Sequence, residues 1–326
     1  AIRPFSSEEV ENALDEAVSS RLVSDVPLGA FLSGGIDSGL VVSSMVRARK
    51  KHPGMEVPLT FTMSSFPDES WAARLTAQRL GTQHHEFPVH PEIISTGTTL
   101  ARNFGQPFAD HSFFPTYFLS RETRRHVTVA LSGDGGDELF GGYRRYANAP
   151  WSAWLGRFPY PWRVLLARQT PSSRIRDFLL SASALPIKGE NSGELYHSFW
   201  RTDCFIPASF IPASFIPGSF TPDFLKVEKE EEEGELERFS SLYREANAKN
   251  PIEGWMEVDQ RMYLADDILR KVDTVSMAVS LECRAPFLDH RLAELANQIP
   301  LRQKMAWGQT KRILRQLAAR NLPPQV

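Results

Sequence analysis

The chain has 326 residues, 42% hydrophobic and 23% charged, which suits a large α/β domain or two modest ones and excludes wholesale disorder. A net charge of -2 provides no broad basic field, so nucleic acid is not an expected partner. Two cysteines, Cys204 and Cys283, cannot build a disulfide framework, and a reducing cytoplasm is the expected setting.

In chain order, Ser6-Ser7-Glu8-Glu9 reads as a capping box. Val10, Ala13, Leu14, Ala17 and Val18 follow at helical spacing, predicting a first helix that ends near Leu22. The opening residues carry no apolar signal core. Pro27–Leu32 reads as a short buried strand that runs into Ser33-Gly34-Gly35-Ile36-Asp37-Ser38, then a helix through Leu40, Val41, Met45 and Ala48. A second strand is expected at Leu59–Met63, a helix from about Ser70 to Leu80, and a third strand at Val127–Leu131 leading into Ser132–Glu138. Strands alternating with helices predict a parallel, doubly wound sheet.

The pattern changes after about Pro150. Trp151–Leu185 reads as interrupted helices. A pentapeptide repeat follows, with FIPAS from Phe205 and Phe210, FIPGS from Phe215 and FTPDF from Phe220, suggesting an extended surface excursion. Cys204–Pro222 is uncharged and approaches the length of a membrane span. Its prolines at 207, 212, 217 and 222 break any continuous helix, so no membrane is expected. Glu228–Glu237 is an acidic run, read as a solvated face or linker. Helical spacing returns with Met262, Leu264, Ile268, Leu269 and Val272. Leu281–Asp289 reads as a loop, and helices are expected over His290–Gln298 and Gln309–Arg320.

Both glycine-rich loops fall at the carboxyl ends of predicted strands, where doubly wound sheets bind ligands. Gly34 and Gly35 let backbone N–H groups approach a phosphate, Ser33 and Ser38 add hydroxyls, and a helix N-terminus adds positive potential. Ser-Gly-Gly by itself also suits a plain tight turn. Asp37 inside an anion cradle asks for a cation, and Mg²⁺ bridging to phosphate fits. There is no Walker loop and no G-x-G-x-x-G. In the second loop Asp134, Asp137 and Glu138 lie among glycines, and such carboxylates repel unless a metal or cation neutralises them.

Together these segments resemble the synthetase domain of the glutamine-dependent asparagine synthetases, within the ATP pyrophosphatases that carry an SGG-x-DS loop. The resemblance rests on Ser33–Ser38, on Gly81-Thr82 with His84-His85-Glu86, and on Pro107-Phe108-Ala109-Asp110 with Pro115-Thr116-Tyr117. It rests also on SGDGGDELFGGY from Ser132 to Tyr143 and on DILRKVDTVSMAVSLECRAPFL from Asp267 to Leu288. It runs from about Asp25 to the end, apart from roughly Ser152–Asn250. The implied fold is α/β, a doubly wound, mostly parallel sheet of the adenine nucleotide alpha hydrolase-like type with a large helical portion. Its parts would be a nucleotide-binding core over residues 1–150, a helical excursion over 151–250 and a helical second half over 251–326.

The implied activity is a carbon–nitrogen ligase that uses ATP and Mg²⁺. Aspartate's β-carboxylate would attack the α-phosphorus, and ammonia would then displace AMP to give asparagine. By motif position, Ser33, Gly34, Gly35, Asp37 and Ser38 would hold pyrophosphate, and Leu32, Met63, Ser132 and Gly133 would line the AMP site. Asp37 and Asp137 would hold Mg²⁺. Asp134, where many relatives have Glu, would accept a proton from incoming ammonium, and Lys311 would stabilise charge on the transferring phosphate. Glu138 and Tyr143 would shape the aspartate pocket, with Asp267 and Arg270 as a polar pair.

Each has a plainer reading: Leu32 and Met63 as core, and Asp267, Arg270 and Lys311 as solvated helix charges. His84 and His85, adjacent on a strand, would point to opposite faces and share no metal. Cys283 reads as a small hydrophobe. Gln106 stands where many relatives carry Glu, and Thr62-Met63-Ser64 departs from the usual S-I-G. The glutaminase domain that opens the full enzymes is expected to be absent, with ammonia coming from a separate glutaminase subunit, and a helical segment is expected to be missing at the C-terminus. A related amide ligase such as a lasso-peptide cyclase or β-lactam synthetase, or a non-catalytic binding module, remains open.

Overall fold

A computed structural model describes residues 4–52, 54–64, 70–88, 93–106, 108, 110, 112–155, 158–170, 234, 237–246, 248–306 and 308–326. The pentapeptide repeat, the Cys204–Pro222 stretch, nearly all of the acidic run, and residues 171–185 of the interrupted helices lie outside them. The chain divides into two compact units, Ala1–Gly142 with Met262–Val326, and Tyr143–Arg261.

In the first unit, α1 (Ser7–Arg21) starts at the predicted capping box: Ser6 Oγ accepts from the Glu9 N–H at 3.1 Å, and Glu9 accepts from the Ser6 N–H at 2.8 Å. Its stripe of Val10, Leu14, Ala17 and Val18 is buried. Arg47, on α2 (Ile36–Lys51), pairs with Asp15 of α1 at 2.6 Å.

Five strands form one parallel sheet in the order β3-β2-β1-β4-β5: β1 (Leu28–Phe31), β2 (Leu59–Ser64), β3 (Gln83–Pro88), β4 (Val129–Leu131) and β5 (Glu282–Arg284). Two of them add to the sequence reading. Gln83–Pro88 sets the bounds of the strand expected around His84 and His85, and the expected loop at Leu281–Asp289 contains β5 and a short 3-10 turn, Pro286–Leu288. Chain order runs outward from β1 to β3 through α2 and α3 (Ser70–Leu80), then returns to the other side of β1 by α4 (Ile93–Phe104) and α5 (Phe113–Thr123). The direction of winding therefore reverses between β1 and β4, which is where such sheets open a crevice at their carboxyl ends.

Alternation along the strands fills both faces. Ala30, Leu32 and Leu131 pack with α1, α2 and the C-terminal helices, while Phe31, Ala130 and Phe61 pack with Val127, Leu119 and Leu281.

The helix His290–Gln298 matches its predicted bounds. The last helix is Arg312–Asn321, starting three residues later than expected, because Gln309 bridges to Ala306 and Lys311 sits outside the helix as its cap. The stretch expected to be α-helical through Met262 and Leu264 is instead a π-helix, Asp259–Leu269, followed by an α-helix, Arg270–Met277. Wide turns of this kind occur mostly as single turns and favour functional sites.

In the second unit, α7 (Arg144–Leu155) carries Arg145 and Tyr146, which both hydrogen-bond the fully buried Asp259. No helix among the described residues is long and apolar enough to cross a membrane.

Candidate active site

The loops after β1 and β4 meet at the switch point. Leu32 closes β1 by donating to the Phe61 carbonyl at 2.8 Å, and Ser132 closes β4 by donating to the Arg284 carbonyl at 2.8 Å. Ser33–Ser38 folds on itself: the Ser33 N–H donates to Ser38 Oγ at 3.2 Å, and the two hydroxyls are 3.0 Å apart. Gly35 caps α2 without any side-chain hydrogen bond, so the first-turn N–H groups of a 16-residue helix stay available to an anion. The second loop continues into the short helix α6 (Gly136–Phe140).

Lys311 joins the loops. Its ammonium pairs with Asp37 of α2 and, at 2.7 Å, with Asp137 of α6. The Lys311 side chain is 13% exposed, which removes the reading of a solvated helix charge. Its backbone lies in the left-handed region at φ 52, shared among described non-glycine residues only with Ser280. That conformation costs an L-residue about 1 kcal/mol or more, and strain of this kind gathers at working side chains. The ammonium fits because residue 142 is glycine. A Cβ there would lie 1.8 Å from Asp137 Oδ1 and 2.2 Å from Lys311 Cε.

Burial pushes the Asp37 carboxyl up to about 6, with Lys311 pulling it down and Asp137 and Asp134 adding repulsion. Burial works against charge on Lys311, but Asp37 and Asp137 outweigh it and hold the ammonium above the usual lysine range. Asp37 Oδ1 is buried with no hydrogen-bond partner among the described residues. No group of three or more His, Cys, Asp or Glu among those residues is set to hold a metal alone. A magnesium ion keeps several waters and takes one or two carboxylates plus phosphate oxygens. The orphaned oxygen of Asp37 and the carboxylate of Asp137 fit that demand.

Burial raises Asp134 above the carboxylate range, against the pull of Ser132 and Lys271. Glu138 is buried at 2% exposure. The Leu32 side chain is wholly buried in the core, so only its backbone faces the loops, while Met63 is half-buried on β2. Tyr143 belongs to the second unit, where its ring lies 4.0 Å from the Arg145 guanidinium carbon.

Asp267 and Arg270, expected as a pair, turn to different neighbours. Arg270 donates to the Phe104 carbonyl at 3.3 Å. Asp267 is pushed up to about 6 by burial, with Asp110 adding repulsion and Lys271 opposing it. Its folded value lies above the unfolded 3.8, so the folded state binds the extra proton between about pH 4 and 6 and loses stability as pH rises through that window. Asp267→Asn is therefore expected to raise the melting temperature, by a margin that widens from pH 5 to pH 7. A margin independent of pH counts against the burial.

The sequence reading missed Lys271 and the role of its partners. Lys271 Nζ binds Asp110 Oδ2 at 2.6 Å and Ser112 Oγ at 2.8 Å. No local signal marks it, since its partners lie 161 and 159 residues earlier in the chain. His84 and His85 separate as expected, His84 Nδ1 to Thr60 Oγ1 at 3.0 Å and His85 onto Phe61 and His126. Burial pushes the half-buried Cys283 thiol up to about 12, far from a thiolate.

A winding reversal with paired glycine-rich loops at its mouth defines an α/β domain of the ATP-pyrophosphatase type. The asparagine synthase family model matches residues 9–326, and the chain belongs to that family. It is 31% identical over 323 residues to asparagine synthetase [glutamine-hydrolyzing] 1 of Bacillus subtilis (strain 168), covering 98% of this chain and 48% of that protein. It is 30% identical over 327 residues to the putative asparagine synthetase [glutamine-hydrolyzing] of Mycobacterium tuberculosis (strain ATCC 25618 / H37Rv), covering 98% and 46%. A putative asparagine synthetase [glutamine-hydrolyzing] 2 of Methanocaldococcus jannaschii is 34% identical over 209 residues, covering 61% and 39%. The chain spans about half the length of the first relatives.

Proposed function

We propose that the chain forms the side-chain amide of asparagine from aspartate, ATP and ammonia. The observation that carries this reading is the Asp37–Lys311–Asp137 arrangement where two glycine-rich loops meet at the switch point. Attack at an α-phosphorus needs β- and γ-phosphates held together as the leaving group, and Ser33–Ser38 at the α2 N-terminus suits that task. Asp37 and Asp137 would hold Mg²⁺, which would supply charge neutralisation for the departing pyrophosphate. Lys311 donates to phosphate oxygens as negative charge grows on them. Leu32, Met63, Ser132 and Gly133 border the adenylate, Leu32 through its backbone.

The aspartate β-carboxylate forms a bond to the α-phosphorus as the bond to the β-phosphate oxygen breaks. Ammonia then attacks the acyl carbon and AMP leaves with its electron pair. Asp134, whose carboxyl burial holds above its usual range, takes the proton released by the attacking nitrogen. Glu138, Asp267 and Arg270 are proposed to select aspartate. The ammonia would come from glutamine hydrolysis by a separate glutaminase subunit or domain, as the relatives' names suggest.

Purified chain with ATP, Mg²⁺, aspartate and ammonium is expected to release pyrophosphate and asparagine in equal amounts. Pyrophosphate without asparagine for any amine tried, or no dependence on aspartate, removes this reading.

A further inference from the structure

Two consecutive cations fasten Phe104, Gln106, Asp110 and Ser112 to the helix Arg270–Met277. Arg270 takes the Phe104 carbonyl, and the Gln106 amide oxygen, turned toward it, accepts from both terminal nitrogens at 2.6 and 3.3 Å. Lys271 takes Asp110 and Ser112, and the other Asp110 oxygen accepts from the Ser112 N–H at 2.8 Å. Behind them Leu100, Phe104 and Val275 form a small core with Phe108, Phe113 and Tyr117 against it. Phe104 and Gln106 line a cavity of about 500 Å³ together with Phe108 and Phe113.

Lysine is a costly choice here. Lys271 is 8% exposed, and burying an ammonium costs more than burying an apolar side chain such as methionine unless the charge is partnered. Charge at this point serves more than Asp110. Three carboxylates on three segments feel it: Asp110 before α5, Asp134 in the loop after β4, and Asp267 in the π-helix that precedes the helix Arg270–Met277. Burial pushes the Asp110 carboxyl up, but Lys271 and Ser112 outweigh it and hold the carboxyl below the usual range. We propose that Lys271 is a positioning residue for amide formation: by tying Asp110 and Ser112 to the helix Arg270–Met277 it fixes the placement of the adjacent Arg270, proposed above to select aspartate. This rests on the reading that the chain activates aspartate.

The test compares wild type, Lys271→Met and the double variant Lys271→Met/Asp110→Asn, by melting temperature and by kcat and KM for ATP and aspartate. In Lys271→Met, kcat should fall about a hundredfold, as for a site displaced by about an ångström. KM for ATP should stay within about threefold, because the phosphate-holding residues lie elsewhere. The double variant removes the stranded carboxylate, so its melting temperature should return to that of wild type while kcat stays low. Recovery of kcat in the double variant, or wild-type kcat in Lys271→Met, overturns the proposal. A double variant that does not fold overturns it too, by making Lys271 a structural residue. Wild-type protein silent with aspartate removes the substrate reading and this proposal together, whereas active wild type with an active double variant removes the proposal alone.

Discussion

Lys311→Met is expected to lower aspartate-dependent pyrophosphate release about a thousandfold, the upper end for loss of one preorganised donor. The ammonium joins the Ser33–Ser38 loop to the second loop through Asp37 and Asp137. Without it two carboxylates face each other, and Asp37, already at about 6, is driven further toward its protonated form. Breaking such a pair costs about 3 kcal/mol when it is buried, and less here because Asp137 is 38% exposed. The fold should therefore survive with a lower melting temperature, partly restored by millimolar Mg²⁺ with pyrophosphate. Lys311→Arg should not rescue turnover, because the guanidinium fork is too broad for a stem held against Gly142. Steady-state release of pyrophosphate with calorimetry checks both parts, and a variant within tenfold of wild type refutes the role given to Lys311.

The second large effect is expected at Gly136. A Cβ there would stand 2.6 Å from Asp37 Cγ, closer than carbon atoms approach without displacement. Gly136→Ala must push the Asp37 carboxylate away from Asp137 and Lys311 or separate the two loops. The loss should approach a hundredfold in kcat/KM for ATP, the scale of an ångström-size misplacement. Gly54→Ala, with open space at its Cβ, is the matched control and should be silent. Asp37→Ala separates the causes. It relieves the crowding but removes the proposed Mg²⁺ ligand, so it should be as inactive as Lys311→Met with the sheet intact. Full activity in Asp37→Ala would contradict the metal role.

Much of this was legible in the sequence because local signals and the fold agreed. The capping box at Ser6, the apolar stripe of α1 and the alternation of strands and helices each had a repeating pattern to read. The strand around His84 and His85 was expected without bounds and the one in the Leu281–Asp289 loop not at all, because each lacked such a pattern. Gln83–Pro88 is polar and half-buried at an edge, and Glu282–Arg284 is three residues held by pairing with β4. Pairing partners distant in sequence made these strands, and no periodicity announces them. The π-helix had the same disadvantage, since its apolar residues imitate α spacing over so short a run. At the site, glycine-rich loops and their carboxylates stood out, as did the resemblance that assigned Lys311. Lys271 was hidden because a buried ion pair depends on Asp110, 161 residues earlier. A comparable separation, 166 residues, lies between Arg270 and the Phe104 carbonyl it meets.

The central claim is that the side-chain carboxylate of aspartate becomes bonded to the α-phosphorus of ATP. Aspartate labelled with ¹⁸O in its β-carboxylate tests this directly, by mass spectrometry of the nucleotide product after turnover with ammonium. One ¹⁸O atom should appear in AMP, carried across as the acyl–oxygen bond breaks, with unlabelled pyrophosphate beside it. Unlabelled AMP, or label in inorganic phosphate with ADP as the product, would contradict the account.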